Sequence, residues 1–269
     1  MNLSNKVALV TGAVKGIGKG IGLALAREGV RVALNYFDWE ESLPDLGRDF
    51  ARTDHLILKT DLLDTGKIPG LIQSVIDHYG RLDILINNIE RGGWPVVHGP
   101  YTMDQWDLEM ATTLRAKRWL FDAALPHLTA SGNGAVVNIS SIAGIVGRSG
   151  PAQEIFNDAY SAANRGISLL TETWARMGAP SVRVNELMLG IVETRHGKDT
   201  RGWGLLTEAR KQAIQDHTLL GRTGTLEDVA KAVLFILKDA PFMTGSVLRL
   251  DGGYVLGGEK TGPMPAGVL

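Results

Sequence analysis

Val7-Ala8-Leu9-Val10-Thr11-Gly12-Ala13-Val14-Lys15-Gly16-Ile17-Gly18 is the stretch whose reading decides the fold. Val7–Val10 has the length and composition of a strand covered on both faces. Glycines follow at once, and a helical period takes over from Ile17 to Glu28. Gly12 permits the tight turn out of the strand, and Gly16 lets the backbone approach a pyrophosphate. Gly18 allows the helix to pack closely on the sheet. The N–H groups and the dipole at the helix start then favour phosphate oxygens, with Ile17 in the first turn. A glycine loop alone is weak evidence; one set between a strand and a helix at the start of a chain is strong. Gly20 and Gly22, inside the same helix, each cost about 1 kcal/mol relative to alanine, with no reason visible in the pattern.

Working outward, short apolar runs alternate with longer helical-period segments. Strands are predicted at Val7–Val10, Arg31–Leu34, Leu56–Leu58, Ile84–Ile86, Ala135–Ile139, Val182–Val184 and Val247–Leu250. Helices are predicted at Ile17–Glu28, Ile68–Tyr79, Met103–Leu128, Asp158–Met177 and Leu226–Leu237. This alternation implies a single α/β domain of Rossmann type, residues 1–258. It would be a doubly wound parallel sheet of about seven strands with helices on both faces. Residues 259–269, rich in Gly and Pro, read as an irregular tail. Gly147–Asn157 and Ile191–Gly224 interrupt the rhythm after strands, where ligands bind in such sheets.

The 269 residues suit one such domain, and a formal charge of −1 points away from nucleic acid and anionic membranes as partners. Without cysteine there are no disulfides, thiolate metal sites or cysteine nucleophiles. The six histidines show no metal-ligand spacing, so no metal is expected. No run approaches the roughly 18 apolar residues of a membrane span, and the N-terminal run lacks a cleavage site. A cytoplasmic protein acting on a small-molecule substrate is the expectation.

The end of the second strand, Leu34-Asn35-Tyr36-Phe37-Asp38, bears on the choice of dinucleotide. An acidic residue there pairs with ribose hydroxyls, whereas a basic one receives a 2′-phosphate. Tyr36 occupies the position, and Lys15 in the glycine loop is within reach of a phosphate. Asp38 pulls the other way, so the reading favours NADP over NAD without excluding NAD.

These residues, with others downstream, resemble the short-chain dehydrogenase/reductase family from about Asn5 to Gly258. Thr11–Gly18 is similar to its TGxxxGxG loop, and Asp61-Leu62 to its adenine-contacting pair. Asn87-Asn88 begins its NNAG motif, and Asn138-Ile139-Ser140-Ser141 is similar to the strand carrying its serine. Tyr160 heads a segment like its YxxxK helix. Val182-Arg183-Val184-Asn185, Gly190-Ile191-Val192-Glu193-Thr194 and Leu250-Asp251-Gly252-Gly253 resemble its last strands and nicotinamide-side loop. The resemblance implies hydride transfer between NAD(P) and a carbonyl or alcohol. Tyr160 would be acid/base and Ser141 would orient the oxygen. It assigns cofactor contacts to Gly12, Lys15, Gly16, Ile17, Gly18, Tyr36, Asp61, Leu62, Asn87, Tyr160, Asn164, Gly190, Val192 and Thr194. It also implies a homodimer or homotetramer built through the Met103–Leu128 and Asp158–Met177 helices.

The departures fall on the chemistry. Asn164 stands where the family has the lysine that binds ribose and lowers the tyrosine pKa; an amide supplies a hydrogen bond but no charge. Thr113 replaces the helix asparagine of the proton relay, Ile89-Glu90 replaces Ala-Gly, and Leu189 precedes Gly190 in place of proline. Ser141 and Tyr160 lie 160 − 141 = 19 residues apart, several more than the family's usual spacing. Trp106 and Trp119 read as core or interface, and Arg115, Lys117 and Arg118 as a solvated basic face or an interface ion-pair set. Glu90, His98 and Trp203 are further candidates at the cleft. Two other readings stay open: a catalytically silent dinucleotide-binding partner, and a non-redox reaction using Tyr160 with Arg165.

Overall fold

The computed structural model describes residues 1–89, 101–194, 206–259, 261–264 and 267. In chain order these form β1 (Val7–Val10), α1 (Gly16–Arg27), β2 (Arg31–Tyr36), α2 (Leu43–Phe50), β3 (His55–Lys59), α3 (Ile68–Tyr79) and β4 (Ile84–Asn87). Then come α4 (Met103–Glu109), a π-helical turn (Met110–Arg115), α5 (Ala116–Ala130), β5 (Gly134–Ser141) and α6 (Ala143–Val146). The rest is α7 (Asp158–Gly178), β6 (Val182–Leu189), α8 (Glu208–His217), α9 (Leu226–Lys238) and β7 (Val247–Leu250).

Among the described residues the strands make one parallel sheet in the order β3-β2-β1-β4-β5-β6-β7. All seven were expected from the apolar runs. The order reverses between β1 and β4, which opens a crevice at their carboxyl ends. Successive residues of a strand point to opposite faces, and β1 shows it. Ala8 and Val10 join Ile21, Leu25, Leu34, Phe50 and Val233 on the α1/α2/α9 side. Val7 and Leu9 join Ile72, Val75, Leu120, Phe121 and Trp174 on the other. There Phe121 and Trp174 stack with centroids 4.8 Å apart.

Close packing explains the two unassigned glycines. A Cβ at Gly22 would lie 2.9 Å from Leu34 and 3.2 Å from Phe50, and one at Gly20 would touch Leu226 at 3.4 Å. Helix α1 therefore runs close against its neighbours.

Several sequence expectations need correction. β2, β5 and β6 continue beyond their apolar runs to Tyr36, Ser141 and Leu189. Helices α2 and α8 were not anticipated; α8 is strongly polar, with Ile214 its one buried residue. The single helix expected over Met103–Leu128 is interrupted by the π turn. Trp106 and Trp119 are 40% and 45% exposed and form no part of the chain's core. Lys117, expected on a solvated basic face or in an interface ion-pair set, is 1% exposed within the chain's own interior. No described helix is long and apolar enough to cross a membrane.

Candidate active site

The crevice is built first by a lock between β1 and β4. Thr11 Oγ1 accepts from the backbone N–H groups of Asn88 (3.1 Å) and Ile89 (2.9 Å). Asn88 Nδ2 donates to the carbonyls of Thr11 (3.0 Å) and Gly12 (3.1 Å). Gly12 and Gly16 have φ of +61° and +59°, the left-handed region that glycine enters without strain. A Cβ at Gly18 would stand 2.6 Å from Asn88 Nδ2. The loop is thus held flat against the end of β4.

Helix α1 begins here without a side-chain cap and without an acidic residue in its first turn. Its opening N–H groups, including that of Ile17, and its positive dipole end face the crevice. A pyrophosphate fits this cradle. Lys15 Nζ stands over the Trp39 ring, 2.7 Å from its centroid, which keeps the ammonium beside the end of β2. Tyr36 is half-buried there, whereas Phe37 and Asp38 are exposed. After β3, Asp61 Oδ1 accepts from Leu63 N (3.0 Å) and Leu62 is buried, which fixes the turn there.

Asn87 closes β4 in the interior, and among the described residues its Oδ1 has no partner. It is fully buried, with Nδ2 donating to Asn138 Oδ1 (2.9 Å), and Asn138 Nδ2 donates in turn to Thr171 Oγ1 (2.9 Å). It therefore ties β4, β5 and α7 together beneath the site. At the end of β6, Gly190 N donates to Leu250 O (2.9 Å), and a Cβ at Gly190 would lie 2.6 Å from Asp251 Cα. Val192 bridges Gly224 and half-buried Thr194 follows, so this loop is anchored at the start of α9.

Ser141, Asn164 and Tyr160 are brought together at the end of β5. Asn164 is 1% exposed; its Oδ1 accepts from Ser141 N (3.0 Å) and its Nδ2 donates to Tyr160 O (2.9 Å). Its amide faces the backbone of both neighbours. Ser141 Oγ accepts from Ala143 N (3.1 Å) as the chain turns into α6. Tyr160 sits in the first turn of α7, whose N-cap Asn157 accepts from Tyr160 N (2.7 Å) and donates to Glu109 Oε1 (3.2 Å). Thr113 is wholly buried in the π turn, and among the described residues its Oγ1 has no partner. Such turns are frequent at functional sites. Arg165 is exposed, one position round the helix.

The long Ser141–Tyr160 spacing is a folded insertion. Pro151–Glu154 form a 3-10 turn whose Ala152 N donates to Tyr254 Oη (2.8 Å), and Glu154 pairs with Arg210 of α8 (3.1 Å). Ala152, Ile155, Phe156 and Tyr160 bury together with Met188, Ile214 and Tyr254. Glu90, His98 and Trp203 lie outside the described residues.

Two charged residues near Ser141 escaped the sequence reading. Lys117 Nζ donates to Ile139 O (2.6 Å) in the interior. Glu186, fully buried on β6, accepts from Ser140 Oγ and from Ser168 Oγ (3.1 Å). Burial pushes the Glu186 carboxyl up from its ordinary value, against the two hydroxyl bonds and the charges of Lys117 and Arg165. A signal for Lys117 was present: it shares the helical stripe of Ala116, Leu120, Phe121 and Ala124.

The family described as enoyl-(acyl carrier protein) reductase matches residues 12–255. The 3-oxoacyl-[acyl-carrier-protein] reductase FabG of Thermotoga maritima is 31% identical over 264 residues, covering 95% of this chain and all of that protein. A protein of Streptomyces violaceoruber, named as granaticin polyketide synthase ketoacyl reductase 2, is 36% identical over 251 residues, covering 92% and 95%. A crystal structure from Sinorhizobium meliloti, titled as a short-chain alcohol dehydrogenase, superposes with a TM-score of 0.82 at 26% identity. It covers 95% of this chain and 98% of that one. The chain belongs to the short-chain dehydrogenase/reductase family. It is an NAD(P)-dependent oxidoreductase acting on C=O or CH–OH groups.

Proposed function

We propose that this chain uses NADPH to reduce the keto group of a 3-oxoacyl thioester, with an altered catalytic set. The observation that carries the site assignment is the hydrogen-bonded group in which Asn164 joins Ser141 to the first turn of α7 at Tyr160. The substrate class rests on the two relatives named for oxoacyl and ketoacyl reduction. The bound dinucleotide supplies the hydride. Ser141 holds the carbonyl oxygen and Tyr160 delivers its proton. Asn164 has one Nδ2 hydrogen left for a ribose hydroxyl, and Thr113 offers its buried hydroxyl to a relay. Gly12, Gly16, Ile17 and Gly18 hold the pyrophosphate, and Asp61 and Leu62 border the adenine. Gly190, Val192 and Thr194 border the nicotinamide, with Asn87 beneath.

Lys15, held by Trp39 at the end of β2, supports NADP over NAD. Residues 1–258 act as one cofactor domain, with 259–269 as a tail, in a cytoplasmic protein. Helices α4, α5 and α7 assemble a homodimer or homotetramer. They border a groove of about 820 Å³, where Leu108, Ala111, Leu114 and Leu170 lie between Asp104 and Arg118.

The test follows nicotinamide absorbance with acetoacetyl-CoA and either NADPH or NADH. Turnover is expected, falling at least 100-fold in Tyr160→Phe, and Lys15→Met should weaken NADPH about tenfold while sparing NADH. Saturable cofactor binding with no oxidation by acetoacetyl-CoA would refute the thioester assignment. Full activity in Tyr160→Phe would refute the assigned site.

A further inference from the structure

Among the described residues, no strand covers one edge of β5 at its carboxyl end. Backbone groups of alternate residues in a parallel strand face opposite neighbours. Ile142 N donates to Leu189 O on the β6 side, and Ala135 N donates to Asp83 O on the β4 side. Ile139 and Ser141, in phase with Ala135, therefore present their backbone groups toward β4. That strand's pairing with β5 ends at Asn87 opposite Asn138, and Asn88 has turned away to the glycine loop.

Buried backbone groups beyond this point need partners, and two side chains provide them. Lys117 Nζ donates to Ile139 O (2.6 Å), and Asn164 Oδ1 accepts from Ser141 N (3.0 Å). An ammonium and the amide that carries Tyr160's helix thus dock on one strand edge, two residues apart. Lys117 follows the π turn that carries Thr113 by a single helical residue. Its field reaches across β5, because it opposes the burial of Glu186 on the next strand.

We propose that Lys117 is a positioning residue that places a positive charge behind the Ser141–Tyr160 pair from α5, where position 164 carries none. This rests on Tyr160 as the proton donor. A phenol with no such neighbour titrates near about 10. A buried cation is little screened and lowers that value by on the order of one unit even from about 10 Å. Among the described residues, the charged or titratable groups on elements around the pair include Glu186 on β6, Glu109 on α4, Tyr101 ahead of α4, Arg165 and Asp158 on α7, and Tyr254 after β7.

The test needs neither cofactor nor substrate. Tyrosinate absorbance of the purified protein is titrated, and the difference between wild type and Tyr160→Phe isolates Tyr160. Tyr79 and Tyr254 stay out of the way, since burial pushes both above the ordinary phenol value. Tyr160 is expected to titrate at least one unit below about 10. Lys117→Met should raise it by at least one unit, and Lys117→Arg should leave it low. A Tyr160 titration at or above the ordinary value, or one that Lys117→Met does not move, overturns the proposal. If Lys117→Met does not fold, the wild-type difference and Lys117→Arg decide. Loss of turnover in Tyr160→Phe with an unshifted titration would sink this inference alone and leave the catalytic assignment standing.

Discussion

Asn164 answers two backbone groups at once, and this decides what a lysine would do in its place. Restoring the family's residue removes the acceptor of Ser141 N and brings a second ammonium to the edge that Lys117 occupies. A buried N–H left unmade costs about 1–3 kcal/mol, and like charges in the interior add to it. Asn164→Lys is therefore expected to lower both the melting temperature and kcat/KM, by at least tenfold for the latter. In the Lys117→Met background the same change should raise kcat/KM. Thermal melts and steady-state kinetics on the three variants check this; a gain of activity in the single variant would contradict it. At this scale the turn of the glycine loop was legible because strand, glycines and helix follow one another directly in the chain. Lys117 and Glu186 were not, because a charge on an apolar stripe declares itself buried only when the partner element is known. Asn87 was legible only as part of its motif: that its Nδ2 is taken by Asn138, while its buried Oδ1 has no partner among the described residues, depends on a strand pairing that the motif does not show.

Among the elements, α7 matters most, since its first turn carries Tyr160 and its second Asn164. Asn157 caps it through Tyr160 N and is itself held by Glu109 of α4. Tyr101 Oη adds a donor to Asn157 Oδ1 (3.2 Å) and accepts from Ala159 N (3.1 Å). Asn157→Ala should cost about 1 kcal/mol of stability and reduce kcat more than it raises KM, because the tyrosine loses its seat while the cofactor cradle is untouched. Urea unfolding and kinetics measure the two parts; a change confined to KM would show that the cap does not position Tyr160. The strands were legible as apolar runs, but their carboxyl ends were not. There polar residues such as Asn138, Ser140 and Glu186 bond across the sheet to one another and to α7. The helix α8 was missed for a related reason, as it carries one buried residue and its packing comes from the insertion before α7.

For the whole molecule, the sheet has a functional end and a structural end. At the latter, Asp83 is fully buried between β4 and the start of β1. Burial pushes its carboxyl up, but bonds from Arg81, Lys6 and Val7 N outweigh this and hold it below the ordinary value. A depressed folded value stabilises the fold above the unfolded one and loses that contribution as pH falls. Melting temperature should therefore drop below about pH 4, and Asp83→Asn should flatten part of that drop while lowering stability at neutral pH. The opposite, lateral face raises the question of assembly. Met103 is 84% exposed, Leu169 67%, and Trp106 and Trp119 also lie open on α4, α5 and α7. A two-fold contact brings one patch onto its own copy, so residue i meets j and j meets i. The α4 acids Asp104 and Asp107 and the arginines Arg115 and Arg118 border the same groove and can pair across such an axis. Leu169→Asp sets like charges face to face at its apolar part and is expected to yield monomer in sedimentation equilibrium, where the wild type sediments as a dimer or tetramer. The monomer should still bind NADPH, because the glycine loop lies at the crevice between β1 and β4, away from this face. A wild type that sediments as a monomer would remove the assembly proposal and leave these aromatic and aliphatic side chains exposed to solvent.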